Sequence, residues 1–205
     1  MDSMSTAGTK GVPRAEREQQ ILDVATDEFG TSGYAGISIN AVAAKAGISK
    51  PLIYGYFKTK DGLYIACVER AGATLVGAIE DVLVTNEPTL QLASETLRAV
   101  FEALAPRPND WNVIFDRTVP KTGAAADAAR KVVAQIGDQA SRGVASFLTA
   151  GGLDDELDIS ALTEVWVSSV TALVNWWLRH PDQTAEQMAD RSGRILAALA
   201  GRASL

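Results

Sequence analysis

Apolar residues recur at helical spacing along nearly the whole chain, and no stretch alternates in the manner of a half-buried strand. Ile21, Leu22, Ala25 and Phe29 form one stripe, which predicts a first helix from about Pro13 to Phe29. Proline suits that start because its missing amide proton would lack a partner there anyway. The glycines of GTSGYAG (30–36) are expected to end the helix, since glycine accepts left-handed backbone. Ile39, Val42, Ala43 and Ala46 share one face of a short second helix, which Ser38 can cap. Gly47 supplies a tight turn, and Ser49 can cap a third helix that carries Pro51 in its first turn.

Three short helices with glycine at the turn read as a helix-turn-helix unit. So small a unit has little core of its own and should lean on the next helix. That fourth helix is predicted from a cap at Thr59 to about Val84, with Leu63, Cys67, Ala71, Leu75, Ala78 and Val82 as its stripe. Turn residues divide the remainder into five more helical segments, near 87–106, 109–119, 123–150, 158–180 and 184–202. The fold expected is all-α: an N-terminal three-helix helix-turn-helix domain over 13–58 and a helical C-terminal domain over 59–205. Residues 1–12 read as a disordered tail.

Charge sharpens this division. The chain of 205 residues carries a formal charge of −6, yet Phe29 through Lys60 contains Lys45, Lys50, Lys58 and Lys60 and no carboxylate. Residues 1–60 sum to +1 and residues 61–205 to −7. A basic segment within an acidic chain is the electrostatic footprint of a polyanion site. The single cysteine, Cys67, leaves no intrachain disulfide, the polar start does not resemble a secretion signal, and no run reads as a bilayer span. These features point to a cytoplasmic protein with no membrane partner.

On the third helix, Ile53 and Phe57 fall together at i, i+4 and should face the core. Lys50, Tyr54 and Lys58 form a separate line, with Pro51 and Gly55 beside them. Lysines neutralise phosphates, a phenol donates to them, and a glycine permits close approach; the ridge therefore suits the major groove of DNA. Tyr56 borders the core face and is open to a packing role as well as a phosphate contact.

The stretch EFGTSGYAGISINAVAAKAGISKPLIYGYFKTKDGLY (28–64) resembles the signature of tetracycline-repressor-type (TetR family) transcriptional regulators. The features that match are the Phe29 to Gly33-Tyr34 spacing, Ser38, Val42-Ala43, Ala46-Gly47, Ile48-Ser49, Leu52, Tyr54, Tyr56-Phe57, Lys58 and Lys60. The resemblance implies an all-helical homodimer with a DNA-binding head and a ligand-sensing body, most often a repressor released from a palindromic operator by a small molecule. It places Ser38 and Asn40 of the second helix against DNA, Lys50, Pro51 and Gly55 against bases or sugars, and Tyr54, Tyr56 and Lys60 on phosphates. Ser49 and Lys58 complete the DNA-facing set. Lys10, Arg14 and Arg17 are further candidates for DNA contact from the amino end. Leu52 stands where many relatives have a small polar residue or glycine, which leaves the operator sequence open.

The segment 159–179 is apolar on more than one side and needs two partners. Leu162, Val170, Leu173 and Trp177, with Ile195 and Leu199 of the last helix, are the expected dimer interface, two helices from each subunit. Phe101, Leu104, Trp111, Phe115, Phe147 and Trp166 are the expected lining of a site for a mainly apolar effector, with Asn112, Asp116 and Arg117 as its polar groups. Each of these side chains has an equally good reading as plain core.

No catalytic residue, metal site or cofactor is expected. His180 is the only histidine and lies at a helix end, where capping explains it; the acidic DDELD (154–158) reads as a helix start; Cys67 reads as a packed thiol. An enzyme using carboxylates alone and a helical adaptor that ignores DNA are the competing classes. Steep weakening of binding by salt separates a DNA binder from such an adaptor.

Overall fold

The computed structural model describes residues 11–201. The expected tail therefore lies outside the described residues but for Gly11 and Val12, as does Lys10. Among the described residues there is no strand; helices α1 (Arg14–Gly36), α2 (Ile39–Lys45), α3 (Lys50–Phe57), α4 (Lys60–Thr85), α5 (Leu90–Leu104), α6 (Asn109–Ile114), α7 (Ala124–Ala150), α8 (Glu156–Leu178) and α9 (Ala185–Leu199) follow in order.

The first helix is longer than its glycines suggest. It continues through Gly30 and breaks only at Gly33 (φ 69°, ψ 165°), then resumes to Gly36. Gly30 serves close approach rather than termination, since a Cβ there would lie 2.6 Å from Cβ of Asn109 on α6. Ser38 caps α2 through the amide of Ala41, and Gly47 turns the chain with φ 65°. Ser49 holds the cap position of α3 but its hydroxyl makes no capping bond, contrary to expectation.

The passage from α3 to α4 is a strained turn. Lys58 has φ 65° and ψ −51°, and the Thr59 amide donates to the Phe57 carbonyl at 2.7 Å, a γ-turn of the positive-φ kind. Thr59 then caps α4 through the Gly62 amide. Glycine at 62 permits this close turn, since a Cβ there would sit 2.0 Å from the Phe57 carbonyl oxygen and force the backbone to shift.

Helix α4 is the spine. It packs against α1, α5, α6 and α7, and buries Leu63, Cys67, Ala71 and Leu75 as its stripe requires. Ala78 and Val82 are only half-buried; Tyr64, Val68, Gly72 and Ile79 extend the buried face instead. Gly72 admits Val132 of α7 so closely that a Cβ would meet its methyls at 2.6 and 2.7 Å. Around the spine, α8 lies along α7 and α9 lies along α5. A reciprocal capping box between Thr184 and Gln187 starts α9. Asp155 caps α8 through the amides of Leu157 and Asp158, so the acidic run is a helix start.

Both α4 and α8 are long and apolar enough to cross a bilayer by length and composition, which corrects the reading of no such run. In the most apolar stretch of α4, 44% of the positions are buried within the subunit; in that of α8, 6% are.

Candidate nucleic-acid interface and apolar cavity

Helix α3 presents its faces as the spacing predicts. Ile53 and Phe57 are buried, while Lys50, Pro51, Gly55 and Lys58 are exposed and Tyr54, Tyr56 and Lys60 are half-buried. Ser38, Asn40 and Ser49 are exposed on the same head. A Cβ on Gly55 would meet nothing within 4 Å, so the fold itself does not require glycine there. The space beside it is kept open toward the outside.

Cations and rings are paired along this ridge. Lys50 Nζ lies 5.8 Å from the Tyr54 ring centre, the Arg14 guanidinium 4.9 Å from that of Tyr56, and Lys60 Nζ 4.6 Å from that of Tyr34. Lys58 Nζ donates to the Gly55 carbonyl at 3.3 Å. Lys60 is the first residue of α4, where free amides and the helix dipole add to its attraction for an anion. Two cations do not behave as expected. Lys45 is paired with Glu28, which lies just before the carboxylate-free segment. Arg17 is buried and hydrogen-bonded to Gln20, so only Arg14 of the described amino-end cations is exposed.

The head is clasped to the body at the kink in α1. The Tyr34 amide donates to Asp116 Oδ2 at 2.5 Å and the Ala35 amide to Thr118 Oγ1 at 3.1 Å, while Thr118 in turn donates to Asp116. Gly33 makes the clasp possible: its φ favours glycine, and a Cβ would lie 2.6 Å from Thr118 Oγ1. Beneath it Phe29 stacks on Tyr34 and Tyr64 meets both edge-on, with ring centres 5.1 to 6.2 Å apart. Tyr64 hydroxyl donates to the Val113 carbonyl at 2.8 Å, and Tyr34 hydroxyl to Asp61. Burial, then that carboxylate, pushes the Tyr34 phenol up to about 12; burial and the Asp116 charge raise Tyr64 as well. Asp116 is thus a structural clasp rather than a ligand group, and Asn112 bonds to Asn109. The clasp was missed in the sequence because its halves stand more than 80 residues apart.

A cavity of about 260 Å³ lies in the body, walled by α4, α5, α6, α7, α8 and α9. Four of the expected residues, Trp111, Phe115, Phe147 and Trp166, line it. Phe101 and Leu104 do not; both are buried core, and the Phe101 ring meets Trp177 edge-on at 5.4 Å. Leu75, Ile79 and Leu83 of α4 form a further wall; of these the sequence stripe includes only Leu75, as core.

The expected dimer residues divide in the same way. Leu162 and Val170 line the cavity, Leu173 packs on the core, and Trp177 is buried with its indole donating to the Gln183 carbonyl at 2.8 Å. Ile195 and Leu199 are exposed, although Leu199 also touches the cavity. The face that α8 leaves bare runs through Leu157, Ala161, Val165, Ser168 and Ala172, at i, i+4, i+8, i+11 and i+15. Trp177 was misplaced because a helix apolar all round gives no sign of which side its own subunit takes.

The remaining singular residues have plain roles. His180 Nδ1 lies 2.7 Å from the Trp176 carbonyl and its ring stacks on Trp176. Burial pushes the Cys67 thiol up to about 12, which makes it unreactive. No cluster of metal-ligating side chains occurs among the described residues.

A helix-turn-helix head joined through one long helix to a cavity-bearing helical body is the build of a DNA-binding transcriptional regulator. The family of bacterial regulatory proteins called the tetR family matches residues 21–67. A mycobacterial protein described as an uncharacterised HTH-type transcriptional regulator (MT1294, Mycobacterium tuberculosis) is 30% identical over 161 residues, 76% of this chain and 73% of that protein. The transcriptional activator FasR of Mycolicibacterium smegmatis is 30% identical over 116 residues, 55% of this chain, and the match spans 53% of that relative's length. Among solved structures, a TetR-like regulator from Rhodococcus superposes with a TM-score of 0.72 at 25% identity, over 93% of this chain and 100% of that one. FadR of Bacillus subtilis, in complex with stearoyl-CoA, superposes with a TM-score of 0.68 at 18% identity, over 91% and 99% of the two chains. The chain belongs to the TetR family of transcriptional regulators.

Proposed function

We propose that this protein is a homodimeric regulator that binds a palindromic operator through its two heads and leaves it when a mainly apolar small molecule fills the cavity. One observation carries the reading: the two elements that hold the head also wall the cavity. Helix α4 starts directly after α3 and supplies Leu75, Ile79 and Leu83; α6 supplies Trp111, and Phe115, which follows it, leads straight into the Asp116–Thr118 clasp on α1. A ligand that parts these walls shifts the heads relative to each other. A coupling of about 1–3 kcal/mol corresponds to weakening of operator binding by roughly 5–150-fold. The B. subtilis neighbour solved with stearoyl-CoA supports a small-molecule effector, and the activator among the relatives means that release from DNA, not the sign of regulation, is the proposed property.

The bare face of α8 supports the dimer. Ala161, Ser168 and Ala172 are small enough for a second copy of α8 to pack closely, and exposed Ile195 and Leu199 extend the surface onto α9. Its apolar length alone would equally serve a bilayer, but small side chains in line favour a helix partner. The two ridges would then meet half-sites about 34 Å apart, in the cytoplasm where the chromosome lies. Within the ridge, Lys50, Pro51 and Gly55 face bases or sugars; Ser38, Asn40, Ser49, Tyr54, Tyr56, Lys58 and Lys60 hold the backbone.

Footprinting of DNA flanking the protein's own gene finds the operator, and binding to it is then titrated against salt. Lys60→Ala, which removes a backbone contact, is expected to lower affinity by about tenfold and flatten the salt slope by about 1, leaving the dimer intact; Lys50→Ala is expected to weaken binding and relax the sequence preference. An unchanged slope in Lys60→Ala removes Lys60 from the phosphate contacts, and salt-independent binding sinks the DNA reading of the ridge.

A further inference from the structure

The cavity wall holds one buried polar group without a partner. Gln139 of α7 is 3% exposed and lines the cavity. Its amide nitrogen donates to the Val76 carbonyl at 2.9 Å and to Glu80 Oε2 at 2.8 Å, both on α4. Those two partners only accept, so they fix which end of the amide is nitrogen and turn the oxygen the other way. That oxygen, Oε1, is buried and accepts no hydrogen bond from any protein group. Four hydroxyl residues share the wall: Thr96 donates to the Leu92 carbonyl at 2.8 Å, Ser169 to the Val165 carbonyl at 2.7 Å, Thr89 accepts from the Gln91 amide at 3.3 Å, and Thr171 is half-buried. The wall is otherwise almost wholly apolar, with Leu75, Ile79, Trp111, Phe115 and Val170 among its members.

A buried acceptor left unpaired costs free energy that a matching donor recovers. We propose that Gln139 is the specificity-determining anchor of this cavity, accepting a hydrogen bond from a ligand that carries one hydroxyl or N–H donor on an apolar body. The inference rests on the cavity being the effector site and deepens it. An ester, ether or thioether of the same shape presents no donor and leaves Oε1 unpaired, so it binds more weakly. The anchor is also a link: the side chain that reads the donor grips Val76 and Glu80 of α4, and Arg142 holds Glu80 from one turn further along α7.

The test uses two probes of equal size, 1-decanol and 1-methoxynonane, which differ in having and lacking the donor. Binding to the full-length dimer is followed by fluorescence of Trp111 and Trp166, which line the cavity, and by calorimetry. The alcohol is expected to bind roughly tenfold more tightly than the ether, about 1.4 kcal/mol, and Gln139→Met is expected to abolish that ratio while still binding the ether. Equal affinities for the two probes in the unmodified protein overturn the anchor and leave the cavity as the effector site. A preference for the alcohol that survives in Gln139→Met also overturns it. If neither probe binds, the cavity is not an effector site for such molecules and both readings fall. The wild-type comparison stands by itself should the variant fold poorly.

Discussion

Helices α4 and α8 are near twins in the sequence and opposites in the fold. Each is long, mostly apolar and fit by composition to cross a membrane. Helix α4 is enclosed by α1, α5, α6 and α7 and buries eight positions, from Leu63 to Ile79. Helix α8 leans on α7, buries only Val174 and Trp177, and leaves a line of small and apolar residues bare. Hydrophobicity therefore states that a surface will be covered, not by what. In α4 the cover is the same subunit; in α8 it is the proposed second copy.

Substitution at matched sites breaks the two helices differently. Leu63→Ala removes a fully buried side chain from α4 and is expected to cost about 2–5 kcal/mol, a fall in Tm of roughly 4–20 °C for a chain of this size. Thermal unfolding at two protein concentrations checks it, since an intrasubunit loss appears at both. The counterpart on α8 is Ala172→Arg. Arginine is a good helix former and the site is exposed, so the isolated subunit should be unaffected to within about 0.5 kcal/mol. A closely packed helix pair has no room for it, and the dimer dissociation constant should rise at least about a hundredfold, near 2.7 kcal/mol. Sedimentation equilibrium measures this. A variant that remains as dimeric as the parent removes the bare α8 face from the interface.

The same contrast explains what could be read from the chain. The head was legible because its chemistry is carried by residue types that packing does not demand: Lys50 and Lys58 on an exposed line, and Gly55 where a Cβ would touch nothing. Opposite them, Ile53 and Phe57 mark the core at i, i+4. The body was legible only in outline. Phe101 and Trp111 have equal claims on a cavity by composition, yet one meets Trp177 in the core and the other faces open space. That choice depends on the rotation of whole helices, which a periodic stripe leaves undetermined. Gly30 and Gly33 were legible only in part. Gly30 reads as part of a helix stop but stays helical, and Gly33 does break the helix; what no local pattern reports is their contact with Asn109 and Thr118, about 80 residues away.

A smaller effect separates the acids beside the two helices. Those at the start of α8 are exposed and cap it. Asp110, beside α4, is 1% exposed; it accepts from Arg107 Nε at 3.1 Å, while Arg107 also donates to Thr74 of α4 at 3.3 Å. Its other oxygen, Oδ1, has no partner. Burial raises the carboxyl above its ordinary value, against the opposing pull of Arg107 and Arg70. In the window between the unfolded value, near 3.9, and the raised folded one, the native state binds more protons than the unfolded state. Stability therefore falls as pH rises through that window, and ionised Asp110 is a net cost above it. Asp110→Asn keeps an acceptor for Arg107 without the charge. It is expected to melt slightly higher than the parent at pH 7, with the difference closing as pH falls toward 4. Paired melting curves from pH 4 to 8 test this; a variant that melts lower at pH 7 would mean that the Arg107 ion pair outweighs the burial, and that α4 rests on a charge pair as well as on its apolar face.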